Sequence, residues 1–214
     1  MMQNVFRSLC LAIGLFGVAL PAQAADYWHP YVGAGVGDFI IDAGPGSKAA
    51  FGGYGMVGND FNDNVGVEVR FGTTGKTGGT LIVPVGFSQP DTVGPVTLTT
   101  PTPAKVSIDW FVAYLLKLQY PFTNGFRVYG VIGATTMKSR FTFASPVPPF
   151  TYAPTAHATT TTFSYGGGFD YGLNDQWRVG VDATVYSNKA TTTPNANFSG
   201  LDVWGITATA RYGF

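Results

Sequence analysis

The stretch Ser107-Ile108-Asp109-Trp110-Phe111-Val112-Ala113-Tyr114-Leu115-Leu116-Lys117-Leu118-Gln119-Tyr120 fixes the kind of fold. Ile108, Trp110, Val112, Tyr114, Leu116, Leu118 and Tyr120 fall on one side, with Asp109, Lys117 and Gln119 on the other. A period of two is the pleat of a β-strand. Residues 65–72, 163–173, 177–185 and 204–214 repeat the scheme, with Val67, Tyr165, Val181 and Ile206 opposite Glu68, Gly166, Asp182 and Thr207. Three Gly-rich strands, 31–37, 51–61 and 126–135, complete a set of eight.

Connections alternate as well. Phe61-Asn62-Asp63-Asn64, Phe122-Thr123-Asn124-Gly125 and Leu173-Asn174-Asp175-Gln176 read as tight turns. Longer polar or Pro/Thr-rich connections are expected at 38–50, 73–105, 138–161 and 187–200. The order is that of an all-β, antiparallel, up-and-down barrel of eight strands.

Composition says what surrounds it. Charged residues make up only 11% of the 214, with 12 Lys+Arg against 12 Asp+Glu, whereas Gly numbers 29 and Phe 17. Soluble domains carry about 25% charge. A nucleic-acid partner, which would demand a basic surface, is not expected. Past residue 24 no apolar run approaches the roughly 18 residues of a membrane helix.

Nine charged residues lie in the readable strands: Glu68, Arg70, Asp109, Lys117, Arg127, Asp170, Arg178, Asp182 and Arg211. All nine are expected on the face opposite the aromatic one, an outcome with odds of about one in 512 if faces were random. The aromatic face is bulky and the charged face is rich in Gly, which suits a narrow barrel with its apolar side outward in lipid and its ions inside. A Lys or Arg on the lipid side would cost about 2 to 4 kcal/mol at the bilayer midplane. Inside, five cations facing four anions form a luminal charge network. Two aromatic girdles are expected. One holds Tyr27, Trp28, Phe61, Tyr120, Phe122, Phe126, Tyr171, Trp177, Tyr212 and Phe214 near the tight turns. The other holds Phe51, Phe71, Trp110, Phe163, Tyr186 and Trp204 near the long loops.

The N-terminus reads as a secretory leader. Arg7 precedes an apolar core from Leu9 to Leu20, and Ala22-Gln23-Ala24 offers small residues for cleavage after Ala24. Residues 1–24 are thus expected to be removed and 25–214 to form the barrel. Cys10, the one cysteine, leaves with the leader, so no disulfide, thiol nucleophile or thiolate metal site is expected.

Tyr31-Val32-Gly33-Ala34-Gly35-Val36-Gly37, the segment from Asn59 to Arg70, and the terminal Ala210-Arg211-Tyr212-Gly213-Phe214 resemble the small outer-membrane β-barrel superfamily of Gram-negative bacteria. That group contains the OmpA-type transmembrane domains, OmpX and the opacity proteins. The resemblance covers the whole mature chain. It implies the bacterial outer membrane, short turns in the periplasm and long loops outside. Phe214, with Tyr212 two residues earlier, would be read by the barrel-assembly machinery. No peptidoglycan-binding segment follows Phe214, so cell-wall anchoring is not expected.

The candidate sites read modestly. Gly33-Ala34-Gly35-Val36-Gly37-Asp38 has no helix after it and is a barrel wall rather than a nucleotide loop. His29 and His157, the only histidines, fall outside the readable strands and are taken as solvated. The carboxylates interleave with cations, which favours ion pairs over a metal site or an acid/base pair. No catalytic, cofactor or metal residue is assigned. Leu81-Ile82-Val83-Pro84-Val85-Gly86-Phe87 is an apolar run inside a long loop, read as packing against neighbouring loops in preference to binding a partner. The expected role is structural and surface-interacting, in contact with outer-membrane lipids and lipopolysaccharide, with loops 73–105 and 138–161 as places for an external ligand. A narrow channel ranks second and a lipid-modifying enzyme third.

Overall fold

The computed structural model describes residues 28–44, 46–90, 95–147, 152–189 and 200–214. The leader, Tyr27 and most of the connection 187–200 lie outside the described residues. In chain order the strands are β1 (His29–Asp42), β2 (Ser47–Asp60), β3 (Val65–Thr74), β4 (Leu81–Val83), β5 (Ser88–Pro90), β6 (Pro95–Thr97), β7 (Thr102–Pro121), β8 (Phe126–Phe143), β9 (Thr155–Gly172), β10 (Trp177–Ser187) and β11 (Asp202–Gly213). β1, β2, β3, β7, β8, β9, β10 and β11 pair antiparallel with their neighbours, β11 closes on β1, and β3 pairs with β7 across the intervening loop. The chain is all-β and its eight long strands form a closed barrel, which leaves no edge unpaired around the ring.

The tight turns are built by their asparagines. Asn62 Oδ1 accepts from the backbone N–H groups of Asn64 and Val65, both at 2.8 Å. Asn174 Oδ1 accepts from Gln176 at 2.9 Å and from Trp177 at 2.7 Å. Asn124 Oδ1 accepts from Phe126 at 3.1 Å, and Gly125 takes the positive φ of 81° there. Short side-chain acceptors that fold back on the next strand are what such turns require.

Outward positions carry the apolar band: Phe51, Phe71, Phe163, Tyr114, Leu118, Phe169, Trp177, Val181 and Ile206 are all exposed. The inward face differs from the expectation of small residues. Tyr31, Tyr54, Tyr129, Phe39, Phe111 and Tyr186 are buried there beside the ions. Glycines make the room. A Cβ on Gly35 would strike the ring of Tyr54, and one on Gly58 the ring of Tyr31. Gly35 and Gly58, with Gly72 against Phe111, are thus negative imprints of aromatic side chains inside the barrel.

Four expectations need correction. The first long loop, expected at 38–50, shrinks to 43–46, because Phe39 and Ile41 continue the inward alternation of β1 and are fully buried, and the loop expected at 138–161 shrinks likewise, because β8 runs on to Phe143 and β9 already starts at Thr155. Ile108 and Asp109 are on the wrong sides: the β7–β8 register shifts between Ile108 and Trp110, so one extra residue enters β7 and the alternation slips by one. Ile108 is buried inside, and Asp109 lies with Arg140 and His157, away from the luminal ions. Tyr186 belongs to no girdle. An irregularity between Val185 and Ser187 lets it turn inward, where it is 1% exposed. Finally, His29 and His157 both lie in strands, at the start of β1 and in β9.

β7, β8 and β9 have 20, 18 and 18 residues, longer than the other barrel strands, and they rise beyond the ring at the long-loop end. There β4 pairs with β7 through Leu81–Ala104 and Val83–Thr102. Leu81, Val83, Phe87, Val96, Leu98, Phe141 and Phe143 are buried together, with Phe87 against Phe141 at 4.8 Å and Phe143 at 5.7 Å between ring centroids. The apolar run of this loop is therefore a small core of its own, and only Ile82 of Leu81–Val83 is exposed.

Candidate functional site: the luminal charge network and the rim

Every one of the eight barrel strands contributes a group to one ionic layer near the tight-turn end. Arg70 on β3 binds Glu68 through Nε at 2.6 Å and Asp182 on β10 through Nη2 at 2.8 Å. Lys117 on β7 binds Asp60 on β2 at 2.7 Å, and Arg127 on β8 binds the other oxygen of Asp60 at 2.9 Å. Asp170 on β9 receives three arginines: Arg127 at 2.9 Å, Arg178 at 2.5 Å and Arg211 at 3.0 Å. Glu68 also accepts from Tyr31 Oη on β1 at 2.7 Å and lies 3.5 Å from Arg211.

Eight of the nine expected residues thus meet here; Asp109 does not. Asp60 takes its place among the anions, so the balance of five cations (Arg70, Lys117, Arg127, Arg178, Arg211) and four anions (Asp60, Glu68, Asp170, Asp182) leaves 5 − 4 = +1. Asp60 was missed because it abuts the turn at 61–64. Parity points to it: it shares its face with Gly58 and Met56, the inward side of β2.

Tyrosines complete the layer. Arg211 sits over the rings of Tyr129 at 4.7 Å and Tyr31 at 5.6 Å, and Lys117 over Tyr31 at 4.4 Å. Cations held over ring faces are stabilised by the ring quadrupole. Asp182 accepts from Tyr54 Oη at 3.1 Å and Thr207 Oγ1 at 2.8 Å. Glu68, Arg70 and Lys117 are fully enclosed. Such buried ions are tolerable only because each has an opposite charge and further hydrogen bonds.

Above the ions the bore is closed by rings. Phe39, Phe111 and Tyr186 contact one another with centroids 4.9 to 5.8 Å apart, and Arg70 Nη1 donates to Tyr186 Oη at 2.9 Å, which joins the two layers. At the tight-turn mouth a cavity of about 360 Å³ ends on Tyr31, Arg127 and Arg211. Among the described residues no group of three or more His, Cys, Asp or Glu side chains gathers as metal ligands.

His157 is not solvated alone. Its Nδ1 lies 3.3 Å from Asp109 Oδ2, and Arg140 Nε lies 2.9 Å from Asp109 Oδ1. The cluster is on the outer wall of β7–β9.

The model of the outer membrane protein β-barrel domain matches residues 8–214. A comparison with curated proteins gives no match. Among solved structures the chain is similar to Ail, the attachment invasion locus protein of Yersinia pestis, in complex with the heparin analogue sucrose octasulfate. The TM-score is 0.53 and the identity 13%, over 87% of this chain and 99% of that one. It is also similar to Neisserial surface protein A, with a TM-score of 0.56 and 12% identity over 86% of this chain and 97% of that one. At such identities the likeness is one of fold.

Proposed function

Because this chain belongs to the outer membrane protein β-barrel domain family and so resides in the bacterial outer membrane, we propose that it is a rigid mount for a folded, surface-exposed rim. In this reading residues 1–24 are a cleaved leader, the turns at 61–64, 122–125 and 173–176 face the periplasm, and the long loops face the exterior. Phe214 and Tyr212 serve the barrel-assembly machinery. The observation that carries the reading is the pairing of a filled bore with a packed core among the described residues of the rim. Ions and the Phe39–Phe111–Tyr186 rings occupy the lumen, while Leu81, Phe87, Leu98 and Phe141 give the loops a core.

A filled lumen disfavours a channel, and we assign no catalytic role. His157 is engaged by Asp109, with Arg140 on the same carboxylate, an arrangement that holds a surface in place. Ligand contact then falls to the rim, including the connection from β3 to β7 and the one from β8 to β9. Sulfated glycans, represented by the sucrose octasulfate bound to Ail, are a first class to try.

The test joins two measurements. Protease added to intact cells should cut within the long loops and spare the turns. Purified barrels in planar bilayers should give no discrete openings. Openings that change when Arg127 or Arg211 is replaced would establish a channel instead, and cleavage at the turns would invert the orientation. A lipid-hydrolysis assay on wild type and His157→Ala addresses catalysis, with no turnover expected from either.

A further inference from the structure

The cavity at the tight-turn mouth has a volume of about 360 Å³, in the lower range of pockets that hold small molecules. Its inner end is the ionic layer. Arg127, Arg178 and Arg211 line it from β8, β10 and β11, with Asp60 of β2. The lip is less charged, with Pro30 and Gly213 beside Gln176. Exposure falls inward, from 28% for the Arg178 side chain to 10% for Arg127 and 3% for Arg211. The three guanidinium groups therefore form a graded basic wall that is open at the lip.

This wall is short of acceptors. All three arginines share the carboxylate of Asp170, and only Arg127 pairs closely with a second one, Asp60, which also serves Lys117. Arg211 Nη2 reaches Glu68 only at 3.5 Å, and Arg211 Nε, though buried, has no hydrogen-bond partner among the described residues. Arg178 turns Nη2 to the Gly125 carbonyl at 2.9 Å. Each guanidinium is a fork of N–H donors with no acceptor of its own, so the donors outnumber the oxygens offered. The ionic layer as a whole keeps its charge of 5 − 4 = +1. Asp175, the other acid that lines the cavity, is exposed on the turn at 173–176, where water and salt screen it.

We infer that the mouth binds a small monocarboxylic acid, of the size of an acylated dipeptide, with its carboxylate on Arg178 and Arg127. A planar carboxylate matches the guanidinium fork and accepts two bonds at once. One negative charge brings the layer to neutrality, whereas a phosphate dianion would overshoot it beside Asp60. With Arg178 and Arg127 answered from the mouth, Asp170 is left to Arg211. The lip of Pro30 and Gly213 suits a short aliphatic stem, and Gln176 offers an amide to a peptide group. Beyond the ions the rings of Phe39, Phe111 and Tyr186 close the bore, so the acid is held and not passed through. Binding does not depend on which way the barrel lies; under the orientation proposed above the acid is a periplasmic one.

Amide NMR of the folded protein in a neutral detergent, titrated with N-acetyl-dialanine or its C-terminal amide, tests it. The acid should give saturable shifts at Gln176 and Gly213 and bind about tenfold more tightly than the amide. Arg178→Gln should weaken binding of the acid about tenfold, whereas Asp175→Asn at the lip should retain it. Gly213→Leu fills the mouth and keeps every charge. Apart from its chain neighbours, its new Cβ has only the Gln176 carbonyl oxygen within 4 Å, at 3.8 Å. This variant should abolish binding, and it decides the matter if Arg178→Gln folds poorly. Equal binding of acid and amide by wild type, shifts confined to the long-loop end, or undiminished binding by Gly213→Leu overturns the proposal. So does inorganic phosphate that binds the same residues more tightly than the acid, which would make the mouth a phosphate site.

Discussion

Asp170 and Asp109 look alike in the sequence, each an acid among apolar residues in a strand, and the structure separates them. Asp170 holds three arginines inside the barrel. Asp170→Asn should destabilise the barrel by about 3 to 5 kcal/mol, since it strands buried cations. Asp109→Asn, at a half-open surface cluster, should cost no more than about 1 kcal/mol. Urea unfolding of the refolded variants measures both, and equal effects would return Asp109 to the lumen. Glycines divide in the same way. Gly58→Ala meets the Tyr31 ring and should cost about 1 to 3 kcal/mol, whereas Gly55, which has nothing within 4 Å of its missing Cβ, should accept Ala with little change. Eight of the nine network residues were legible because ions avoid lipid, a rule that acts on each residue separately. The tyrosines that join them were not, because a Tyr suits either wall and its side depends on which neighbour is Gly.

At the scale of the strand, alternation is readable only while the register runs unbroken. From Phe111 to Tyr120 it holds, and the sequence pattern and the structure coincide. Above Trp110 a single extra residue reverses it, and nothing local in Ser107-Ile108-Asp109 announces the slip, because it is imposed by pairing with β8. Cysteine scanning in a Cys10→Ser background should display the reversal. Positions 112, 114 and 116 should react with a lipid-soluble thiol reagent and 111, 113 and 115 should not. Beyond the bulge, 105 should react and 106 and 108 should not. A pattern that keeps one parity from 105 to 120 would remove the bulge. The same limit explains the first connection, where Asp38 and the Gly-Pro-Gly run resemble a loop although β1 continues to Asp42.

For the whole molecule, the eight-strand count, the closure and the outward apolar band follow from repeated patterns that no single residue can spoil. The rim does not, since Leu81, Phe87 and Phe141 are joined by tertiary contact across loops of unlike composition. Replacing residues 78–100 with a short Gly/Ser linker should leave a barrel that still migrates as a compact, heat-modifiable band on a gel, while loss of that band would make the rim part of the barrel's own stability. The ionic layer carries a further implication. Arg70 finds its acid on the far strand β10 and Lys117 its acid on β2, and the three arginines around Asp170 arrive from β8, β10 and β11. A sheet left open in lipid would therefore present unpaired ions to hydrocarbon. The seam between β1 and β11 works like a clasp in this respect, since only its pairing lays Arg211 over the Tyr31 ring.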